Sequence, residues 1–84
     1  MIDPGVGREL QVRYLRKDGR SVAVLRAVDR GGGSCVVEAE VFPQSGGFPA
    51  RPGPYTFGDE RQAAAFITDT VEALMYLGCD LTDQ

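Results

Sequence analysis

Tyr55-Thr56-Phe57-Gly58-Asp59-Glu60-Arg61-Gln62-Ala63-Ala64-Ala65-Phe66-Ile67-Thr68-Asp69-Thr70-Val71-Glu72-Ala73-Leu74-Met75-Tyr76-Leu77-Gly78 is the stretch whose reading decides the fold. It begins as a short strand, Tyr55 to Phe57, turned by Gly58. Asp59 then stands where a helix N-cap belongs, because its carboxylate can accept from the free N–H groups of the first turn. Gln62, three residues on, suits a capping box, and Glu60 suits the positive end of the helix dipole. From there Ala63, Phe66, Ile67, Val71, Leu74 and Leu77 recur at spacings of three and four, which draws one apolar stripe along a helix. Gly78 is the expected C′ residue, with Cys79 after it to supply the apolar contact of such a cap. Asp80 to Gln84 read as the end of a polar tail over residues 79–84, in which Leu81 can pack.

Upstream of this stretch the signals are those of β-structure. Pro43 to Pro54 holds four prolines and three glycines, so it is read as a loop. A loop of that length in a compact domain is often functional. Cys35 to Phe42 alternates Cys35, Val37, Ala39 and Val41 with Val36, Glu38, Glu40 and Phe42. The preceding Asp29-Arg30-Gly31-Gly32-Gly33-Ser34 is read as a turn, because no helix with a Lys-Ser/Thr start follows its glycines to make a phosphate loop. Arg20 to Val28 places Ala23, Leu25 and Ala27 on one face and Val22, Val24 and Val28 on the other, with Arg26 interrupting. Two largely apolar faces predict a central strand. Asp18-Gly19 is a two-residue hairpin signal. Before it, Glu9 to Lys17 places Leu10, Val12 and Tyr14 on one face and Gln11 and Arg13 on the other. Residues 1–7 form a loose lead-in.

The expectation is therefore a single α+β domain over residues 1–84. An antiparallel meander of three to four strands is followed by one C-terminal helix packed on one face. A chain of 84 residues buries only about 60–65% of its unfolded surface, so its core is thin. Two cysteines are too few for a disulfide framework, and both are expected to be reduced and buried. With no histidine and no closely spaced cysteines, no metal site is expected. The missing histidine also removes the commonest general base and any Ser-His or Cys-His pair. Glu38 and Glu40 project from the same side of a strand, an arrangement compatible with acid–base chemistry but more simply a solvated face. No enzyme activity and no cofactor are expected. Nothing at the N-terminus has the basic and apolar regions of a signal peptide, and no run is long enough to span a membrane. A cytoplasmic protein is expected. Its alanine- and arginine-rich composition is compatible with a high-GC bacterial genome.

Charge is distributed unevenly. Residues 1–30 carry seven basic side chains against four acids, net +3, and residues 31–84 carry two against eight, net −6. A helix covering one side of the sheet leaves the other side open, and Val36 and Phe42 make that side apolar. This motivates self-association into a homodimer through the open face or the third-strand edge. The expected order of strands then helix also resembles the PUR repeat and the whirly-type single-stranded DNA binders. The likeness is one of topology, and no sequence motif carries it. It implies a nucleic-acid surface at Arg13, Tyr14, Arg16, Lys17 and Arg26, with stacking by Tyr14 or Phe48. An isoelectric point near 4.7 opposes that use. The leading expectation is a non-catalytic homodimeric protein-binding module, with single-stranded nucleic-acid binding as the alternative. Arg13, Tyr14, Arg26, Phe48 and Arg51 are the candidate partner-binding residues.

Overall fold

The computed structural model describes residues 8–82. The lead-in at 1–7 lies outside the described residues, as do the last two residues of the tail. Five strands and one helix follow in the order β1 Arg8–Lys17, β2 Arg20–Gly31, β3 Ser34–Val41, β4 Tyr55–Phe57, α1 Glu60–Tyr76 and β5 Asp80–Thr82. The sheet is antiparallel throughout, in the order β4-β3-β2-β1-β5. The α+β class agrees with expectation, but there are five strands, not three to four. The extra strand falls in the segment read as a tail. Its origin is geometric. A helix of 17 residues is about 25 Å long. Five strands are about 19 Å across. A helix that starts beside β4 thus delivers the chain to the opposite edge, where β5 pairs with β1 through Tyr14–Thr82, Leu15–Leu81 and Arg16–Asp80.

Local chemistry sets the turns and caps. Asp18 and Gly19 both have positive φ, 53° and 79°, which closes the first hairpin as a primed turn. The second hairpin is tighter than the sequence suggested: Asp29 to Gly31 belong to β2 and Ser34 to β3, leaving only Gly32 and Gly33 in the turn. The Asp29 carboxylate accepts from the Gly31 N–H at 2.8 Å and steadies this corner. Asp59 caps the helix by accepting from the Gln62 N–H at 2.8 Å, and the Gln62 side-chain oxygen accepts in turn from Gly58 at 3.2 Å. At the other end Gly78, at φ 102°, donates to the Met75 carbonyl, and Cys79 donates to that of Leu74, each at 3.0 Å. That pair of bonds is the Schellman motif. α1 has no basic residue in its last turn, but Lys17 of the first hairpin donates to the Leu77 carbonyl at 3.3 Å. The cation favourable at a helix C-terminus thus comes from another element.

The core lies between the helix and one sheet face. Ala63, Ile67 and Val71 meet Leu15, Ala23, Leu25, Ala27, Cys35, Val37 and Cys79, all of them buried. Phe66 is only partly buried and packs its ring on Tyr55 and Phe57, with centroids 5.0 and 5.3 Å away. Leu77, expected in the stripe, is 65% exposed because the chain leaves the helix there. Leu10, Val22 and Arg30 are the extra residues of three β-bulges. Leu10 does not share a face with Val12 and Tyr14, nor Val22 with Val24. Both pack instead against the helix-side core.

Candidate functional site

The face turned away from α1 is built by register alone. Val12 stands opposite Arg26 and Tyr14 opposite Val24; across the next ladder Val24 faces Glu40, Arg26 faces Glu38 and Val28 faces Val36. Glu9 is opposite Val28, and Thr82 is opposite Tyr14. Val28 and Val36 are already buried, so the apolar surface left on this face is narrower than the sequence suggested. It consists chiefly of the half-buried Val12, Tyr14 and Val24.

A ladder of ion pairs crosses this face. Arg26 lies 3.6 Å from Glu9 and 3.9 Å from Glu38. Arg30, two residues beyond Val28 on the same strand, reaches Glu38 at 3.8 Å. Arg51 meets Glu40 at 3.2 Å, with a second contact through Nε at 3.3 Å. Three guanidinium groups and three carboxylates therefore neutralise one another. Each pair is partly exposed and worth little to stability alone, about 0–1 kcal/mol. Collectively they set the electrostatic character of the face: no net charge, and both signs present. The charge asymmetry of the sequence is in this way partly cancelled within the fold, since arginines from the first part pair with glutamates from the second.

The loop from Pro43 to Pro54 borders this face. Ala50 exchanges two backbone hydrogen bonds with Val41, both 2.8 Å, and Tyr55 resumes pairing at Val37. The residues between them arch past the edge of β3 and enclose a cleft of about 340 Å³. Val24, Pro52 and Pro54 give the cleft apolar walls. The Arg26–Glu38 and Glu40–Arg51 pairs stand at it too. β3 is consequently covered in part: β4 pairs with Cys35 to Val37 and Ala50 bridges Val41, which leaves Glu38 to Glu40 without a strand partner on that side among the described residues.

Of the five candidate residues, Tyr14, Arg26 and Arg51 come together on the open face. Arg13 does not join them. It stands opposite Leu25 on the helix side, where its guanidinium donates to the Val12 carbonyl at 3.1 Å. Phe48 is 94% exposed on the loop. Glu9, Arg30, Val24, Pro52 and Pro54 were not singled out from sequence. Alternation could have flagged Val24, and Arg30 too, which keeps the parity of Arg26 and Val28 once β2 is seen to run on to Gly31; the two prolines reach this face only through the arch of the loop.

The remaining reactive groups lie elsewhere. Cys35 and Cys79 are free, buried thiols on the helix side. Burial pushes the Cys35 thiol up; the carboxylates of Asp29, Glu60 and Asp59 push the same way, against a smaller opposing effect of Arg8. Among the described residues no group of three or more Cys, Asp or Glu could hold a metal ion, and no helix is long and apolar enough to cross a membrane. No protein-family model matches the chain, and no curated protein sequence or solved structure matches it. β5, which follows the helix on the far edge, departs from the strands-then-helix order behind the topological likeness to PUR and whirly modules.

Proposed function

We propose that the chain is a non-catalytic, cytoplasmic protein-binding module that pairs with a second copy of itself through the open sheet face. The observation that carries this reading is the self-neutralising ion-pair ladder around Val12, Tyr14 and Val24. A surface with equal numbers of both signs carries no net charge to repel a second copy across a twofold axis. It is poorly suited to phosphate. Nucleic-acid affinity comes largely from unpaired cations that displace counterions, and Arg26, Arg30 and Arg51 each already have a carboxylate. The same pairing argues against acid–base catalysis, since Glu38 and Glu40 are each held by an arginine. The sheet edges are less inviting than the face. β4 and β5 are three residues long, and β1 carries a bulge at Leu10; such features discourage strand addition. The two free, buried thiols are the feature that supports a reducing compartment.

Light scattering at micromolar concentration tests the reading, with an expected mass of twice 9.1 kDa. A monomer that binds single-stranded oligonucleotide, with affinity falling by about 0.7 log units per log unit of salt for each neutralised phosphate, would replace it.

A further inference from the structure

We propose that the end of the molecule at the first hairpin is a membrane-docking surface, which seats on a bilayer bearing anionic lipid. It is distinct from the open sheet face and does not depend on self-association there. Leu81, Leu15, Ala23, Val41 and Ala50 form one row across the sheet, and the first hairpin lies beyond it. Seven large hydrophobic residues are exposed among the described ones, and six of them, Val41, Phe48, Met75, Tyr76, Leu77 and Leu81, lie at this row or past it. Topology brings them there from three segments. The Val41–Ala50 bridge closes a loop over residues 42–49, which carries Phe48 beyond the end of β3. α1 starts at the other end of the sheet, where Gly58 neighbours Gly33, and runs out at Tyr76 and Leu77 beside Lys17. β5 then enters the row at Leu81. Phe48 and Tyr76 are 94% and 92% exposed, far beyond what isolated surface apolar residues explain when they gather at one end.

The same end carries three cations. Arg8, Arg26, Arg30 and Arg51 each have a carboxylate partner, but Arg16, Lys17 and Arg20 of the first hairpin have none among the described residues. Asp18, at the turn, and Asp80, opposite Arg16, are the acids beside them. Asp29, Asp59 and Glu60 stand at the opposite end, so an anionic surface draws the molecule in hairpin first. Lysine and arginine stems lie along apolar surface while their heads meet lipid phosphate, and the aromatic rings suit the headgroup level.

Three features favour a bilayer over a folded partner or a nucleic acid. The helix end arrives with its backbone satisfied: the Leu74 and Met75 carbonyls accept from Cys79 and Gly78, and that of Leu77 from Lys17. Hydrocarbon offers no replacement for such bonds, so a segment entering it must bring its own. The apolar side chains also project from separate tips. The depression at this end, about 190 Å³, is lined by Arg20, Ser21, Pro43, Gln44 and Gly46 and by none of the six. A fluid interface accommodates tips of any spacing, whereas a folded partner needs a pocket for each. Four of the six, Val41, Met75, Leu77 and Leu81, have no ring to stack on a base.

Cosedimentation of the full chain tests this, with vesicles of phosphatidylcholine alone and of phosphatidylcholine and phosphatidylserine in equal parts. The mixed vesicles should bind it, less tightly as salt rises. The chain has no tryptophan, so Tyr76→Trp supplies a single reporter, whose emission should move to shorter wavelength with mixed vesicles. The Phe48→Ser, Leu77→Ser pair should bind them about tenfold more weakly. Arg16→Gln with Arg20→Gln should also lose about tenfold on mixed vesicles and nothing on phosphatidylcholine. All four positions are exposed, and circular dichroism checks that the variants fold. An unaltered chain that stays in the supernatant with mixed vesicles overturns the proposal, as does undiminished binding by the Phe48, Leu77 pair. Loss of the dimer in that pair without lipid would assign the patch to a second copy instead. Single-stranded oligonucleotide bound through Arg16 and Arg20, with no vesicle binding, would assign it to nucleic acid.

Discussion

Ile67 and Leu77 occupy the same stripe in the sequence and opposite environments in the fold. Ile67 is 1% exposed among Val37, Leu25 and the other core residues, and Leu77 is 65% exposed at the end of the helix. Truncating Ile67 to alanine should cost about 2–5 kcal/mol, since the cavity is enclosed on all sides. Leu77→Ala should stay within about 0.5 kcal/mol. Urea denaturation of both variants checks the difference, and equal losses would mean that the helix face is wrongly assigned. Cys35 yields a prediction in pH. Its folded thiol is raised, chiefly by burial, so the unfolded chain gives up its proton first as pH rises. Stability contributed by the neutral thiol is full below the unfolded thiol value of about 8.5 and is lost as pH climbs towards the folded one. Cys35→Ala should therefore show a shallower decline in melting temperature above pH 8.5 than the unaltered chain. An identical slope would remove the thiol from the account.

At the scale of elements, the helix depends on its two ends. Gly78 sits at φ 102°, where a β-carbon is strained, and its N–H serves the Schellman pair with Cys79. The surrounding space is adequate, because an added Cβ would come no closer than 3.4 Å to the Lys17 side chain. Gly78→Ala should accordingly cost about 1–2 kcal/mol through the backbone alone. Asp59→Ala removes the cap on Gln62 and should cost about 1 kcal/mol. The two sites are at opposite ends of α1, so the double variant should show the sum, measured by thermal unfolding. Both caps were legible in the sequence, because each depends on residues that are neighbours along the chain. The bulges at Leu10, Val22 and Arg30 were not. A bulge arises when one strand must gain a residue on its partner, and a strict period of two hides it.

For the molecule as a whole, the helix must cover the sheet and return the chain to its far edge. β5 is the result, and with it Leu81 comes opposite Leu15 and Cys79 is drawn into the core. The division of charge belongs to this scale too. Arg26, Arg30 and Arg51 would read from sequence as free cations beside an acidic remainder, yet each faces a glutamate across the sheet or the loop. Self-association belongs to this scale, because the face that these pairs neutralise is built by three strands and a loop together.

The class of fold, the helix with its caps, the first hairpin and the strand core at Ala23, Leu25 and Ala27 were all legible in the order of residues. These follow from local conformational preference and from periodicity, which act between residues a few positions apart. Only the paired fold settles the fifth strand, the faces on which Leu10 and Val22 fall, and the assembly of Tyr14, Arg26, Glu38, Glu40 and Arg51 on one surface. Each of these depends on strand register and on where a helix of fixed length sets the chain down, quantities that exist only once distant segments have paired.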